Sequence, residues 1–444
     1  MRKELLGLSQ CLATHPLLAE RPVNKIKYIN ILEYFVNRFS KNNVLADATL
    51  ALYKQVLLKD VFGANNVEFA GKATKNATGL KAKGLNLFAY RYILLFDCFF
   101  INAFDDIKIA TKINQEIKKF FHIRYHKKFD TLFSILYEMK SNREFKDLSE
   151  QIDCWKMNKA YLSAPIRKIL ITANMSAGKS TLINALVGKK INKTQNDACT
   201  AKIHYVFNKP IEDGYTSEFD YQLDMNADFE ALMQDNPENL DMEISVGTYF
   251  RTTVTPKERI CIIDTPGVNN ALDKTHQDLS YACIDNGDYD IVVCVLNASN
   301  IGTVDERNHL QHIAEIAKHK QTVFVINQLD KFDKEEDSIE DCIVNIQQDL
   351  QGLGLKNASI CPISAYAGLL AKKHLYGVPM SDVEMLELQM FILKFRENYV
   401  SMKKYFSAMK EEALETDPED SLNSKCLTLL KHAGFTNLEK ILFE

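Results

Sequence analysis

Residues 168–187 read Lys168-Ile-Leu-Ile-Thr172, Ala173-Asn-Met-Ser-Ala-Gly-Lys-Ser-Thr181, Leu182-Ile-Asn-Ala-Leu-Val187. The first run is apolar and strand-like, the middle is built of small residues ending in Gly-Lys-Ser, and the last has helical periodicity. A strand, a small-residue loop and a helix in that order form a phosphate cradle. Backbone N–H groups of Ser176 to Ser180 can turn onto phosphate oxygens, and the first helical turn adds its unpaired donors and its dipole. Gly178 permits close backbone approach, Lys179 spans the β- and γ-phosphates, and the Ser180 hydroxyl reaches Mg²⁺. A glycine usually stands six residues before the lysine; here that position is Ala173.

Downstream segments choose the base. Arg259-Ile-Cys-Ile-Ile263 is a short apolar strand ending in Asp264-Thr-Pro-Gly267, which puts a carboxylate at the strand edge facing the metal and a glycine N–H toward the γ-phosphate. Asp290-Ile-Val-Val-Cys-Val-Leu296 reads as another buried strand. Thr322-Val-Phe-Val-Ile326 then runs into Asn327-Gln328-Leu329-Asp330, where Asp330 can accept from guanine N1–H and its exocyclic amine, a pattern adenine does not offer. Gln328 stands where a lysine usually packs over the base. Ser359-Ile-Cys-Pro-Ile363 leads to Ser364-Ala365, whose backbone N–H is suited to guanine O6. Between the cradle and Asp264, the segment 195–203 supplies a loop threonine to close the Mg²⁺ shell and position the attacking water; Thr200 is favoured over Thr194.

Taken together, SAGKSTLINALVG (176–188), NDACTAKIHY (196–205), DTPGVNNALDKTH (264–276) and NASNIGTVDE (297–306) resemble the GTPase domain of bacterial dynamin-like proteins. The resemblance covers residues 165–330 well and 359–444 less closely. It implies a GTP-hydrolysing enzyme that binds GTP or GDP with Mg²⁺, dimerises across its nucleotide face or pairs with a longer dynamin-like protein, and works at membranes. Val268, after Gly267, cannot hydrogen-bond water as the glutamine of small GTPases does. The resemblance instead assigns Ser176 to hold a monovalent cation. Met175 stands where dynamins place a glutamine, and a thioether does not position water. The implied catalytic set is Ser176, Lys179, Thr200 and Gly267. The nucleotide-binding set is Asn174, Met175, Ala177, Gly178, Lys179, Ser180, Thr181, Asn327, Gln328, Asp330, Ser364 and Ala365, and the metal set is Ser180, Thr200 and Asp264. A decayed GTP-dependent switch with weak catalysis is the alternative that Ala173, Met175 and Gln328 leave open.

The chain is long enough, at 444 residues and 46% hydrophobic, for two or three domains. Its ten cysteines lack metal-ligand spacing and read as small core residues of a cytoplasmic protein. The most apolar run, Tyr92 to Ile101, is too short to span a bilayer, carries Asp97, and reads as a buried helix. The overall charge of -4 is uneven: residues 1–160 hold 26 Lys and Arg against 16 Asp and Glu, a net of +10, and the rest hold 28 against 42, a net of -14. Residues 1–160 show helical periodicity, with Ile29, Leu32, Phe35, Val36 and Phe39 on one face and Phe129, Leu132, Phe133 and Leu136 on another. The spacing predicts a helical bundle over 1–160, with a loop or hinge over Gly63 to Gly79 and a boundary at Ser163-Ala-Pro165. An α/β GTPase domain with a mainly parallel sheet follows over 165–444, with a helical insertion at about 369–430 and an acidic turn at Asp417 to Asp420. The run Lys118 to Lys128 interleaves cations with aromatics; as one helix it would suit an anionic membrane surface at the inner face of the membrane, and as a solvated face it would cover an aromatic core. No RNA-binding motif accompanies the basic segment, so nucleic acid is the less favoured partner.

Overall fold

The computed structural model describes residues 2–62, 89–192, 202–232, 243–268, 274–300, 303–332, 338–396 and 421–444. Thr194, Thr200, the Gly63 to Gly79 loop and the acidic turn at Asp417 to Asp420 lie outside the described residues. The chain divides into two compact units: residues 1–163 with 209–227, and 164–208 with 228–444.

The first unit is mainly helical. Its main helices are α1 (Pro22–Phe39), α2 (Val44–Leu57), α3 (Arg91–Ala103), α4 (Ile107–Lys118), α5 (His126–Tyr137) and α6 (Ser149–Ser163). Local chemistry sets the starts. Pro22 opens α1 where no N–H is needed, and Asn43 and Asp106 cap α2 and α4 by accepting two backbone N–H groups each. Ile29, Leu32, Phe35 and Val36 are buried, as are Phe129, Leu132 and Leu136, around Trp155, whose indole N–H donates to the Leu136 carbonyl at 2.9 Å. The apolar run at 92–101 is helix α3, buried through residues 93–103. Asp97 lies inside it, satisfied by the Tyr53 hydroxyl at 3.0 Å, by Tyr28, and by His15 Nε2 at 2.9 Å. No described helix is long and apolar enough to cross a membrane.

The Lys118 to Lys128 run is not one helix: α4 ends at Lys118, a turn intervenes, and α5 begins at His126, whose Nε2 lies 2.9 Å from the Lys118 carbonyl. Its cations cover local groups. Lys118 pairs with Asp130, and the Arg124 guanidinium stands 4.6 Å from the Tyr125 ring centre. A single basic amphipathic face therefore does not form, and the solvated-cover reading describes the geometry.

Residues 209–227 join the first unit through buried polar contacts: Asp213 accepts from the Gln10 N–H at 2.6 Å and from Lys209 at 2.8 Å, and Ser217 donates to the Leu6 carbonyl at 2.8 Å. An antiparallel hairpin, Ser217–Asp220 with Gln222–Asp224, lies in this excursion.

The second unit carries β1 (Ile166–Ala173), β2 (Ile203–Asn208), β3 (Glu243–Thr248), β4 (Arg259–Asp264), β5 (Ile291–Asn297), β6 (Gln321–Asn327) and β7 (Ser359–Pro362). Their order across the sheet is β3-β2-β4-β1-β5-β6-β7. All neighbours are parallel except β2 and β4, which run antiparallel. The buried β-branched residues of β1, β4, β5 and β6 make the near-continuous apolar strands a two-faced parallel sheet requires. Helices α7 (Lys179–Val187), α8 (Lys274–Asn286), α9 (Val304–Ala317), α10 (Ile339–Gly352), α11 (Ala365–Leu375), α12 (Asp382–Lys394), α13 (Leu422–His432) and α14 (Phe435–Phe443) alternate with and follow the strands. The C-terminal ends of β1, β4, β5 and β6 lie at one edge, the position where parallel α/β sheets bind ligands.

Candidate functional site

The loop 174–178 leaves β1 and enters α7 through two left-handed residues, Ser176 at φ 61° and Gly178 at φ 87°. At Gly178 the space a Cβ would take is already filled by the Asn327 amide nitrogen, so glycine is required by conformation and by crowding. The amides of three strand-end residues grip the loop carbonyls: Asn297 Nδ2 donates to Ser176 at 3.3 Å, Gln328 Nε2 to Ser176 at 2.8 Å, and Asn327 Nδ2 to Ala177 at 3.0 Å. A trans peptide sets N–H opposite C=O. Carbonyls held on the Asn327 side therefore turn the amide edge of the loop the other way, the polarity an anion cradle needs. Lys179, Ser180 and Thr181 form the first turn of α7.

Asp264 ends β4 in reach of that turn. One of its carboxylate oxygens pairs with the Lys179 ammonium, and the other accepts from Asn192 Nδ2 at 2.5 Å. Asn192 is placed by Asn184 of α7, whose side-chain oxygen accepts from Ile191 N at 2.8 Å and Asn192 N at 2.9 Å. Sequence reasoning missed Asn192, and a lone asparagine after a helix carries no signal of its own. The chain then turns at Thr265, whose hydroxyl donates to Ile171 at 3.1 Å, and returns to β1 where Val268 N donates to Ala173 at 3.2 Å. Val268 is fully buried, which accounts for an apolar residue after Gly267. Met175 is 38% exposed and lies beside Gly267: a Cβ there would sit 3.3 Å from its Cγ.

The residues expected to read the base are brought together by β6 and α11. Asn327 Oδ1 accepts from the Ala365 N–H at 3.0 Å, so one side chain links the phosphate loop to the Ser364-Ala365 turn. Gln328 adopts a left-handed φ of 69° and reaches the cradle, with Lys331 donating to its side-chain oxygen at 2.8 Å. Asp330 is 8% exposed; burial pushes its carboxyl up, and a hydrogen bond with Ser364 works against that shift. Lys394 of α12 donates to the Asp330 carbonyl. Ser364 caps α11 by accepting from Ala367 N at 3.3 Å, and its own N–H donates to the Ala433 carbonyl at 3.1 Å.

The structure thus brings Asn174 to Thr181, Asp264, Gly267, Asn327, Gln328, Asp330, Ser364 and Ala365 to one edge of the sheet, while Thr200 lies outside the described residues. A second group not foreseen from sequence stands behind the cradle. Glu306 of α9 is 4% exposed, accepts from the backbone of Asn297, and leaves its Oε2 without a partner; burial first, and Asp349 of α10 next, push it up to about 7. It lines a cavity of about 90 Å³ with Leu296, Leu310, Ile346 and Asp349. One turn further on, burial lowers His309 to about 4, and its Nε2 lies 3.3 Å from the Thr172 hydroxyl of β1.

A parallel sheet, a Gly-Lys-Ser cradle on a helix N-terminus and a carboxylate at the end of the neighbouring strand define an α/β P-loop GTPase fold. More narrowly, residues 169–329 match the Dynamin family. A bacterial dynamin-like protein of Nostoc punctiforme is 24% identical over 185 residues, which cover 38% of this chain and 26% of that protein. The chain therefore matches about a quarter of that relative's length. Among solved structures, one described as an oligomerised bacterial dynamin pair for long-range sensing and tethering of membranes is 16% identical at a TM-score of 0.38, over 87% of this chain and 59% of that one. Era of Aquifex aeolicus bound to GDP and aluminium fluoride is 17% identical at a TM-score of 0.29, over 49% of this chain and 58% of that one.

Proposed function

We propose that this protein binds GTP with Mg²⁺ and hydrolyses it, and that two nucleotide domains meeting face to face activate the reaction. The observation that carries the reading is the Lys179–Asp264 contact beneath Gly178. An ammonium at the start of α7 paired with a carboxylate at the end of β4 supports a reading in which the first serves a γ-phosphate and the second its metal. Binding exchanges that contact: Lys179 turns to the phosphates, freeing Asp264, with Ser180, to hold the metal, and Asn192 keeps the carboxylate oriented as the ammonium leaves. Held by Asp264 and Ser180, Mg²⁺ would supply neutralisation of phosphate charge. Asp330 accepts from guanine, which requires its carboxyl ionised, and the Ser364 hydrogen bond favours that form. Thr200 would be the further ligand to the metal, and Ser176 would help to hold a monovalent cation.

A membrane-directed partner, either a second copy or a longer dynamin-like protein, completes the reading. The domain division that accompanies this reading is the helical unit of residues 1–163, to which 209–227 return, and the nucleotide unit of 164–208 with 228–444, so the division expected at 160–165 is not a single cut in the chain. A GTP-dependent switch with weak turnover is the second reading, favoured by Met175 packed beside Gly267 and by Val268 turned wholly inward. Binding and hydrolysis of GTP and ATP, measured across protein concentrations with and without anionic vesicles, test both. GTP-specific turnover that rises per molecule with concentration, and loss of nucleotide binding in Lys179→Ala, are the expected results. Tight GTP binding with no turnover under any of these conditions selects the switch. Equal affinity for ATP, or unchanged binding in Lys179→Ala, overturns both readings.

A further inference from the structure

Helix α12 is apolar on two sides. One side faces its own domain: Leu388 and Phe395 are buried, and Glu384 is clamped to Lys373 at 2.6 Å. The other presents Val383, Leu386, Met390 and Leu393 at 66, 60, 61 and 64% exposure. A helix that is apolar all round is expected to be buried all round. The exposed four are spaced three, four and three residues apart, the alternation of an a/d seam, which packs its side chains into the holes of another α-helix.

The rim of the seam points to the identity of the second helix. Asp382 and Gln389 stand seven residues apart on one flank, Arg396 follows seven further on in the turn just past the helix end, and all three are exposed. When two copies of α12 lie antiparallel with Val383 against Leu393 and Leu386 against Met390, the same twofold sets Asp382 against Arg396 of the second copy and Gln389 against its own counterpart. The flank is therefore self-complementary in charge. The charges of the other flank are engaged at home: Glu387 receives the Tyr366 hydroxyl, and Lys394 donates to the Asp330 carbonyl.

We infer that the exposed seam of α12 is an antiparallel, isologous contact with a second copy of this chain. It does not depend on the function proposed above. A helix of 13 residues buries a small area, so the association is weak and concentration-dependent. Through Lys394 and the Asp330 carbonyl the contact abuts the guanine-reading turn.

Sedimentation velocity of the full chain without nucleotide tests the inference over a wide concentration range. The expected result is a reversible monomer–dimer equilibrium that Leu386→Glu with Met390→Glu abolishes, while the unchanged melting curve of that variant shows intact folding. Asp382→Arg should weaken the dimer by roughly tenfold, and adding Arg396→Asp should restore it, because the reversed charges meet again in a twofold pair. A monomer at every concentration overturns the inference. So does a dimer indifferent to the double glutamate variant, or a charge reversal that is not rescued by its partner.

Discussion

Replacing Glu306 by glutamine should stabilise the nucleotide domain at neutral pH and leave it unchanged in acid. The carboxyl is held between β5 and α9 with one oxygen on the Asn297 N–H and the other unpartnered, so ionising it in place is unfavourable. Its folded value of about 7 stands above the 4.5 of the unfolded chain. Below pH 4.5 both states hold the proton and there is no difference between variant and parent. As pH rises from 4.5 to 7 the unfolded chain ionises first, so the parent loses stability over that window, and above 7 the loss is complete. The full shift corresponds to about 3 kcal/mol, and screening through the adjoining cavity, with Asp349 and Arg307 on its lining, reduces this to on the order of 2 kcal/mol. Glutamine keeps the volume and the acceptor for Asn297 but cannot ionise. His309 runs the other way, its contribution being lost as pH falls from 6.5 to about 4, and comparing variant with parent cancels that slope. Hydrogen exchange of β5 and α9 amides in urea at pH 4.5, 6 and 8 reads the difference within this unit alone. A gap between variant and parent that does not grow with pH, or a parent more stable than the variant at pH 8, would refute the reasoning.

Gly178→Ala should keep the domain folded but weaken GTP binding by tenfold or more, since a β-carbon forces Asn327 off the Ala177 carbonyl and a left-handed alanine adds about 1 kcal/mol of strain; calorimetric titration with GTP checks it, and parental affinity would count against the cradle geometry. Glu439→Ala should be among the most destabilising single changes in the second unit, about 3 to 5 kcal/mol. It strips the fully buried Lys372 ammonium of its partner and Thr253 N of an acceptor 2.7 Å away. Thermal melting reads this, and substituting Lys372 by methionine in the same chain should recover much of the loss.

The sequence made the strand ends legible because each chemical group followed a short apolar run, and a parallel strand delivers its next residue to the same edge of the sheet. Asn297, Asn192 and Glu306 stayed hidden for a different reason. Their roles rest on which backbone groups face them, and a single asparagine or glutamate has no periodicity to betray it. Likewise Gln328 reads as a missing lysine in sequence, while in space its amide is one of the three that grip the cradle. The cationic run at 118–128 left two readings open, a single membrane-facing helix or a solvated cover, and the turn after Lys118 with the Arg124–Tyr125 stacking leaves only the second. The 209–227 excursion was invisible because its ties, Asp213 with Gln10 and Ser217 with Leu6, join residues about two hundred positions apart.

The Ser364 N–H reaches the Ala433 carbonyl, and the Lys372–Glu439 pair locks α11 to α14. The Ser364-Ala365 turn is therefore braced by residues translated some seventy positions after it. On a ribosome the phosphate loop and its strands emerge well before that brace, so a nascent domain holds its cradle before the Ser364-Ala365 turn can be fixed in place.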